Sequence, residues 1–153
     1  CMIDGDGQND PADIPRMFEA LTGAPAERRL GMVTGMRVKR QDSTAKRWAS
    51  RFANGVRSRL LRDKNPDTAC GLKIFRREVF VALPAFNHMH RFLPALAQRQ
   101  GWAVDPHPVN HRARTRGRSK YGIFDRLAVS ITDLIGVMWL RSRPCLPQEF
   151  EEK

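Results

Sequence analysis

The sequence CMIDGDGQND, at residues 1–10, joins a short apolar run to a loop that carries three aspartates. The apolar run is typical of the end of a buried strand, and the glycines that follow it predict a loop. Asp4 and Asp6 stand two residues apart, so an extended loop can direct both carboxylates at one cation, and Gln8 can supply a third oxygen. Hard oxygen donors of this kind suit Mg²⁺ or Mn²⁺.

The acidic loop, residues 4–10, has two other interpretations. An EF-hand calcium loop also begins with D-x-D, but it needs glycine at its sixth position and glutamate at its twelfth. Those positions hold Asn9 and Pro15 here, which excludes the EF-hand. An ordinary turn rich in Asp, Gly and Asn stays an alternative to a metal site.

The composition predicts one globular domain, because 41% of the 153 residues are hydrophobic and 28% are charged. Three widely spaced cysteines argue against a disulfide framework. The net charge of +11 is unevenly divided, since residues 1–27 carry −5 and residues 28–153 carry +16. The acidic head suits a cation, whereas the basic body predicts an anionic partner such as a nucleic acid, a phosphate or an anionic membrane.

Apolar periodicity and breaker residues predict a mixed α/β order along the chain. The expected elements are a helix at 14–22 with Asp13 as its N-cap, a strand at 30–37, a helix at 44–61, a strand within 67–75, a helix at 77–83, a helix at 90–100, an extended piece at 102–109 and a helix at 123–140.

Two basic segments are candidates for phosphate binding. In the helix at 44–61 an i,i+4 series predicts the buried face, formed by Trp48, Phe52, Val56 and Leu60. The opposite face carries Arg47 and Arg51, one turn apart, which can reach one phosphate. Residues 111–122 place a basic side chain at almost every second position, so an extended segment would hold them on one side. The alternatives are a solvated helix face and a disordered basic loop or nucleic-acid arm.

The last predicted helix has a broad apolar surface, formed by Leu127, Ile131, Leu134, Ile135, Met138 and Trp139. Arginines flank it at positions 126, 141 and 143. An apolar helix surface with tryptophan and arginine near its end suits a membrane interface. Packing of this helix on its own domain is the alternative.

Six short motifs follow one another along the chain, namely DGDGQND at 4–10, GMRVKRQDS at 35–43, SRFAN at 50–54, DTACGLKIFRR at 67–77, HRFLPAL at 90–96 and GRSKYG at 117–122. Together they resemble family 2 glycosyltransferases, in particular the dolichol- or polyprenyl-phosphate mannosyltransferases and their bacterial relatives. The resemblance implies a Rossmann-like α/β fold of the glycosyltransferase A type. It also implies inverting transfer of a sugar from a nucleotide-diphosphate sugar to a polyprenyl (dolichol-type) phosphate, assisted by Mg²⁺ or Mn²⁺.

The resemblance further implies roles for individual residues. The metal ligands are expected at Asp4, Asp6 and Gln8. The substrate phosphates are expected to meet Arg37, Arg51, Arg118, Ser119 and Lys120. The sugar pocket is expected at Asp67, Thr68 and Gly71, and the acceptor side at His90 and Arg91. The catalytic residues among these are expected to be Asp6, Arg37, Arg51 and Lys120. Because a lipid phosphate is already an anionic nucleophile, the reaction needs no general base.

The chain departs from the family at its start, where only three residues precede Asp4. In the family the first strand and the nucleotide-base pocket lie before the D-x-D loop. We therefore expect residues 1–140 to form the C-terminal part of the catalytic domain, with N-terminal strands missing and a frayed tail at 141–153. This fragment alone is expected to bind nucleotide-sugar poorly and to be inactive.

The expected partners are a nucleotide-diphosphate sugar, a polyprenyl-phosphate lipid and the membrane surface. The expected location is peripheral, on the cytoplasmic side of a bacterial inner membrane. Two alternatives from other classes are a basic nucleic-acid-binding module and a non-catalytic remnant of the transferase. The nucleic-acid alternative leaves the acidic loop unexplained, and the chain has no helix-turn-helix, RNP or zinc motif.

Overall fold

The computed structural model describes residues 1–38, 55–63, 65–112 and 123–143, and it describes the backbone alone over residues 123–130. The elements are α1 (Ile14–Thr22), β1 (Leu30–Arg37), α2 (residues 55–61), β2 (Lys73–Phe75), α3 (Arg77–Ala82), α4 (Leu93–Arg99), β3 (Ala103–Val109) and α5 (Ile123–Ser142). Short 3₁₀ turns occupy Pro11–Asp13, Ala26–Arg28 and Met89–Arg91. This confirms the mixed α/β order, and the bounds of α1 and β1 are those predicted.

A three-stranded sheet in the order β2-β1-β3 organises the fold. The central strand β1 pairs with β2 in antiparallel and with β3 in parallel orientation. Its first six residues are buried. Gly35 is required there, because a Cβ atom at this position would lie 2.7 Å from the Cys70 Sγ atom and 3.0 Å from Val109. The absence of a side chain thus lets the loop before β2 pack closely on β1.

Two prolines mark the outer edge of β3. Ala103 donates its backbone N–H to the Arg29 carbonyl on the β1 side, at 3.0 Å. Since the N–H direction alternates along a strand, Pro106 and Pro108 occupy positions whose N–H would point away from β1. Proline has no N–H, so this edge lacks two of the donors that a further strand would need.

The sheet separates two hydrophobic clusters. Helix α1 covers one face, where Met17 and Leu21 pack against Val33 and Ile74. Helices α3, α4 and α5 pack on the other face, around a cluster that includes Met32 of β1. Because side chains alternate along a strand, neighbouring residues of β1 serve opposite clusters.

The predicted buried face of the helix at 44–61 is wrong in its described part. Val56 and Leu60 are each 44% exposed, whereas Leu61 is fully buried. The reason is an ion pair, since Arg57 on the same side as Leu61 reaches the buried Asp63, with 2.9 Å between Nη2 and Oδ2. The positions of Arg47, Trp48, Arg51 and Phe52 lie outside the described residues.

The helix predicted at 90–100 is shorter than expected. A 3₁₀ turn at Met89–Arg91 comes first, and α4 begins only at Leu93. Pro94 explains the difference, because in a helix starting at His90 it would have to donate an N–H that it lacks. As the second residue of α4 it needs no intrahelical donor.

The capping prediction for Asp13 is also wrong. Asp13 precedes α1, but its side chain caps nothing. Its fully buried carboxylate accepts hydrogen bonds from the Asn110 backbone N–H at 2.7 Å and from Arg16. The cap is instead Asp10, whose Oδ1 accepts from the Ala12 N–H at 3.1 Å and starts the 3₁₀ turn before α1. The start of α1 is thus tied to the segment that follows β3.

Candidate functional site

Several of the predicted site residues meet where β1 ends and β2 begins. Arg37 is the last residue of β1, and the loop at 65–72 leads into β2. Because these strands are antiparallel, the end of one lies beside the start of the other. We refer to Asp4, Arg37, Asp67 and Gly71 as the site cluster.

Arg37 and Asp67 form a two-pronged ion pair at the centre of the site cluster. The guanidinium donates from Nε to Oδ2 and from Nη2 to Oδ1, both at 2.7 Å, and the Arg37 backbone N–H adds a bond of 3.2 Å. The exposed fractions of the two side chains are 12% and 10%. Charge-assisted pairs of this geometry are among the strongest hydrogen bonds in proteins. The residue predicted for the acceptor phosphate is therefore bound to a residue predicted for the sugar pocket.

Asp4 lies directly against Gly71. A Cβ atom at position 71 would collide with the Asp4 carboxyl group, so only glycine allows this approach. The backbone of Met2 holds Asp4 in place, since it exchanges two hydrogen bonds with Lys73, at 2.8 and 2.9 Å. The predicted metal loop and the predicted sugar pocket are thus in contact.

The second half of the acidic loop turns back on itself and toward residues 111–112. Asp6 Oδ1 accepts the Gln8 N–H at 3.1 Å. The Gln8 side-chain amide lies 3.5 Å from the His111 ring, and the Gln8 carbonyl accepts the Arg112 N–H at 2.8 Å. Gln8 therefore has other contacts than a cation in this structure.

The acidic loop has a donor set that fits a hard divalent cation. Within the described segments, no group of three or more His, Cys, Asp or Glu side chains is placed to hold a metal ion. Asp4 is exposed and Asp6 is partly exposed, so both carboxylates can be reached from outside. Mg²⁺ is commonly held by one or two carboxylates, while water and substrate phosphate fill its other positions. The two accessible carboxylates match this pattern.

Asp10 joins the acidic loop to the start of the basic segment. Its carboxylate pairs with Arg112 at 2.7 Å, and Asn9 forms an isolated bridge with His111. The Ala12 N–H and then Arg112 hold the pKa of Asp10 below its usual value. The rest of the basic segment lies outside the described residues, including Arg118, Ser119 and Lys120, and so does Arg51. Their predicted roles stay predictions.

Lys73 is a member of the site that the sequence analysis missed. Its side chain is buried, with 2% exposed, and Nζ donates to the carbonyl oxygens of Cys70 and, at 3.4 Å, of Thr68. Burial lowers the pKa of Lys73, while the nearby carboxylates of Asp4 and Asp67 oppose this shift. The available signal was a lysine between apolar residues in a predicted strand, because a lysine is almost never fully buried unless it is paired.

His90 and Arg91 stand at the end of the 3₁₀ turn before α4. Burial lowers the pKa of His90, and the positive charges of Arg91 and Lys73 lower it further. His90 is therefore neutral at pH 7 and close enough to Lys73 and Asp4 to feel their charges. His90, one of the two residues predicted for the acceptor side, is therefore within electrostatic reach of Asp4 in the site cluster.

Helix α5 divides its predicted apolar surface between two faces. Val137 is buried, and Leu134 and Met138 pack beside it on the cluster under α4. A stripe at four-residue spacing faces outward instead, with exposed fractions of 49% for Ile131, 62% for Ile135 and 60% for Trp139. We refer to these three residues as the apolar stripe.

The end of α5 is fastened to α4. Arg141 donates to the Ala95 carbonyl at 2.7 Å, and Arg99 donates to the Leu140 carbonyl at 2.9 Å. The Arg143 guanidinium lies 5.5 Å from the centre of the Trp139 ring. None of the helices in the described segments combines the length and the apolar content that crossing a bilayer requires.

A comparison with known proteins finds relatives whose names all contain a polyprenyl phosphate. The chain is 35% identical to a dodecaprenyl-phosphate galacturonate synthase of Rhizobium johnstonii, in an alignment of 157 residues that covers 97% of the chain. It is 36% identical over 121 residues, 79% of its length, to an undecaprenyl-phosphate 4-deoxy-4-formamido-L-arabinose transferase of Edwardsiella ictaluri. A protein of the same name from Pseudomonas aeruginosa is 33% identical over 136 residues, 89% of the chain. No protein-family model matches the chain.

These matches cover only part of each relative. They span 43%, 36% and 38% of the three proteins, so the chain has about two fifths of the length of the curated relatives it matches. The relatives' names share a polyprenyl-phosphate and differ in the sugar.

Proposed function

Because the chain belongs to the family 2 glycosyltransferases that include these polyprenyl-phosphate sugar transferases, we propose that it serves the transfer of a sugar from a nucleotide-diphosphate sugar to a polyprenyl phosphate. The observation that carries this proposal is the 35% identity to the dodecaprenyl-phosphate galacturonate synthase over 97% of the chain. The relatives support the lipid phosphate as acceptor, since it is the substrate that their names share. They differ in the sugar, so the proposal names none.

The proposed reaction proceeds with inversion on a domain of the glycosyltransferase A type. An oxygen of the lipid phosphate attacks the anomeric carbon, and the bond from that carbon to the diphosphate breaks. The electron pair leaves with the nucleotide diphosphate. No side chain has to remove a proton, because the attacking phosphate is already ionised. The work of the site is to bring two anions together in line.

The proposed roles follow the electrostatics of the site. Arg37 holds the acceptor phosphate, and the Asp67 carboxylate fixes its guanidinium in one orientation. Arg51 and Lys120 contribute further positive charge. A divalent cation on Asp4 and Asp6, with Gln8 beside them, would neutralise charge on the leaving diphosphate. Asp67, Thr68 and Gly71 line the sugar pocket, and His90 and Arg91 stand on the acceptor side.

The proposed location is the membrane surface, where the lipid acceptor resides. The apolar stripe of α5 supports this, because it exposes two isoleucines and a tryptophan beside Arg143. Such a helix lies in the interface with its apolar face in the headgroup region. In a bacterium we propose the cytoplasmic side of the inner membrane, with the protein bound peripherally through this helix.

Replacement of Asp6 tests the proposal. The protein is expressed with all residues that its gene encodes and is assayed with undecaprenyl phosphate, Mn²⁺ and a panel of radiolabelled nucleotide-diphosphate sugars. We expect label in the lipid fraction with one donor, and loss of nearly all transfer in Asp6→Ala. The matched control is Glu19→Ala, which removes one exposed acidic group from the same acidic head. No lipid product with any donor, or full transfer by Asp6→Ala, would contradict the proposal.

A further inference from the structure

Lys73 is connected to both loops of the site. Its backbone exchanges two hydrogen bonds with Met2, which stands two residues before Asp4. Its ammonium donates to the carbonyl oxygens of Thr68 and Cys70. Both belong to the loop that runs from Asp67 to Gly71, which we call the pocket loop. One residue thereby fastens the acidic loop through its main chain and the pocket loop through its side chain.

These connections matter because the two loops are in tight contact at Asp4 and Gly71. The Asp4 carboxyl group rests where a Cβ of Gly71 would be, so a small shift of either loop would separate them or make them collide. Asp67 also depends on the pocket loop, since its own carbonyl accepts the Cys70 N–H at 3.3 Å. Release of the Cys70 carbonyl would therefore loosen the turn that carries both Asp67 and Gly71.

The burial of Lys73 is costly, and the structure compensates only part of that cost. A buried ammonium needs hydrogen-bond acceptors and opposite charge. Two carbonyl oxygens accept hydrogen bonds from the ammonium, but burial still lowers the pKa of Lys73, although the charges of Asp4 and Asp67 oppose this shift. A methionine of similar length would avoid this cost. A lysine at this position offers the hydrogen-bond donors that an apolar side chain lacks, and both carbonyl oxygens use them.

We propose that Lys73 is a positioning residue of the active site, which keeps Asp4 and Asp67 in fixed relation so that a divalent cation and a phosphate can bind between the two loops. The inference rests on the proposed function, because it takes the acidic loop as the metal-binding part. Some residues contact a metal ligand without binding the metal themselves. Replacement of such a residue commonly lowers metal affinity by about 10- to 100-fold.

The test compares three variants of the full chain by two measurements. Lys73→Met removes the charge and the donors, and Lys73→Gln keeps an amide donor without the charge. The matched control is Ile74→Ala, since Ile74 is the next residue of β2 and packs in the cluster under α1. Mn²⁺ alone is titrated and followed by electron paramagnetic resonance, and amide hydrogen exchange is followed residue by residue.

We expect Lys73→Met to weaken Mn²⁺ binding by about 10-fold or more and to accelerate exchange selectively at residues 2–4 and 67–71. Lys73→Gln should fall between this variant and the wild type, and it replaces Lys73→Met if that variant does not fold. Ile74→Ala should lower the melting temperature and leave Mn²⁺ binding unchanged. Equal effects of the Lys73 variants and Ile74→Ala on both measurements would overturn the inference.

The two measurements separate this inference from the proposed function. If the wild-type chain binds no Mn²⁺, the metal part of the proposed function fails, and hydrogen exchange alone decides the role of Lys73. Selective acceleration in the two loops then supports the positioning role, whereas acceleration spread over the whole sheet refutes it.

Discussion

Glycine at position 71 lets the Asp4 carboxyl group rest on the pocket loop. A single methyl group would occupy the volume of that carboxyl group. We predict that Gly71→Ala displaces Asp4 and lowers kcat/KM of sugar transfer by about 100-fold, because misplacement of a reacting group by about 1 Å can cost this much. The measurement is a steady-state transfer assay. Gly5→Ala is the control, since a Cβ at Gly5 meets nothing within 4 Å. Equal activity of the two variants would contradict the prediction.

The ion pair of Arg37 and Asp67 makes a second prediction for single residues. Both side chains are about nine-tenths buried, so removal of one partner takes a two-pronged ion pair away from a charge that is shielded from water. We expect Asp67→Asn and Arg37→Met each to lower the free energy of unfolding by about 3 kcal/mol. The double variant should lose clearly less than the sum, since both single variants remove the same ion pair. Urea denaturation measures all three.

An exposed ion pair on the surface serves as the matched control for this experiment. Arg28 and Asp105 are also joined by two hydrogen bonds, at 2.9 and 3.0 Å, but their side chains are 52% and 37% exposed. Exposed pairs contribute at most about 1 kcal/mol, so Asp105→Asn should change stability little. A similar loss at both pairs would show that burial is not the cause.

At the scale of elements, the acidic loop depends on its junction with the segment after β3. The Ala12 N–H and then Arg112 lower the pKa of Asp10 in the folded protein. The ionised carboxylate thus stabilises the fold above its unfolded pKa of about 4, and this contribution disappears as the pH falls through the folded pKa. We expect Asp10→Asn to lower the melting temperature at pH 7 and to match the wild type once the pH lies below the folded pKa of Asp10.

Thermal melts at several pH values check this. Asparagine keeps an oxygen for the Ala12 N–H, so the variant isolates the charge. Glu19→Gln, on the exposed side of α1, serves as the control for a lost surface charge. A deficit that keeps the same size from pH 7 to the acid end of the series would rule out the pairing with Arg112 as its cause.

Helix α5 has one face for the protein and one for the proposed membrane contact. Replacement of Ile131, Ile135 and Trp139 by serine should abolish binding to vesicles of phosphatidylglycerol and leave the melting temperature nearly unchanged, because all three side chains are about half exposed or more. Val137→Ala, on the buried face, should do the reverse and cost about 2 kcal/mol of stability. Flotation and thermal melts separate the two effects. Retained flotation of the serine variant would refute a membrane role of the stripe.

At the scale of the whole molecule, the sequence was sufficient to predict a helix or strand when the residues that determine its ends lie in or next to that element. The helix at 14–22 ends at a glycine and the strand at 30–37 is apolar along most of its length, and both were predicted with the bounds observed. The prediction failed where distant residues compete. The sequence predicted Asp13 as a helix cap, but its carboxylate accepts a hydrogen bond from the backbone N–H of Asn110, almost a hundred residues away.

The site shows the same division between local and distant information. The motifs placed Asp4, Asp67 and Gly71 in one site, and the structure brings these three residues together. The pairing of Arg37 with Asp67 could not be predicted, because it depends on the register of β1 with β2. The burial of Leu61 was missed for a related reason, since the ion pair of Arg57 with the buried Asp63 lies on the same side of the helix as Leu61.

The uneven charge of the molecule separates the proposed function from a nucleic-acid-binding module. Residues 28–153 carry +16, which attracts either an anionic membrane or a nucleic acid at low salt. A salt concentration near 1 M shortens the Debye length to about 3 Å and removes most of this attraction. Only the membrane also accepts the apolar stripe, so vesicle binding should weaken with salt but persist in part. DNA binding should fall steeply, by a constant power of the salt concentration.

Binding to phosphatidylglycerol vesicles and to a double-stranded DNA oligonucleotide is therefore measured between 0.05 and 1 M NaCl, conditions that span about 14 to 3 Å of screening length. We predict residual vesicle binding at the highest salt, and its loss when the apolar stripe is replaced by serine. DNA that binds more tightly than vesicles at every salt concentration would instead favour the nucleic-acid module. The combination of charge with the stripe, rather than charge alone, is what makes the membrane the expected partner.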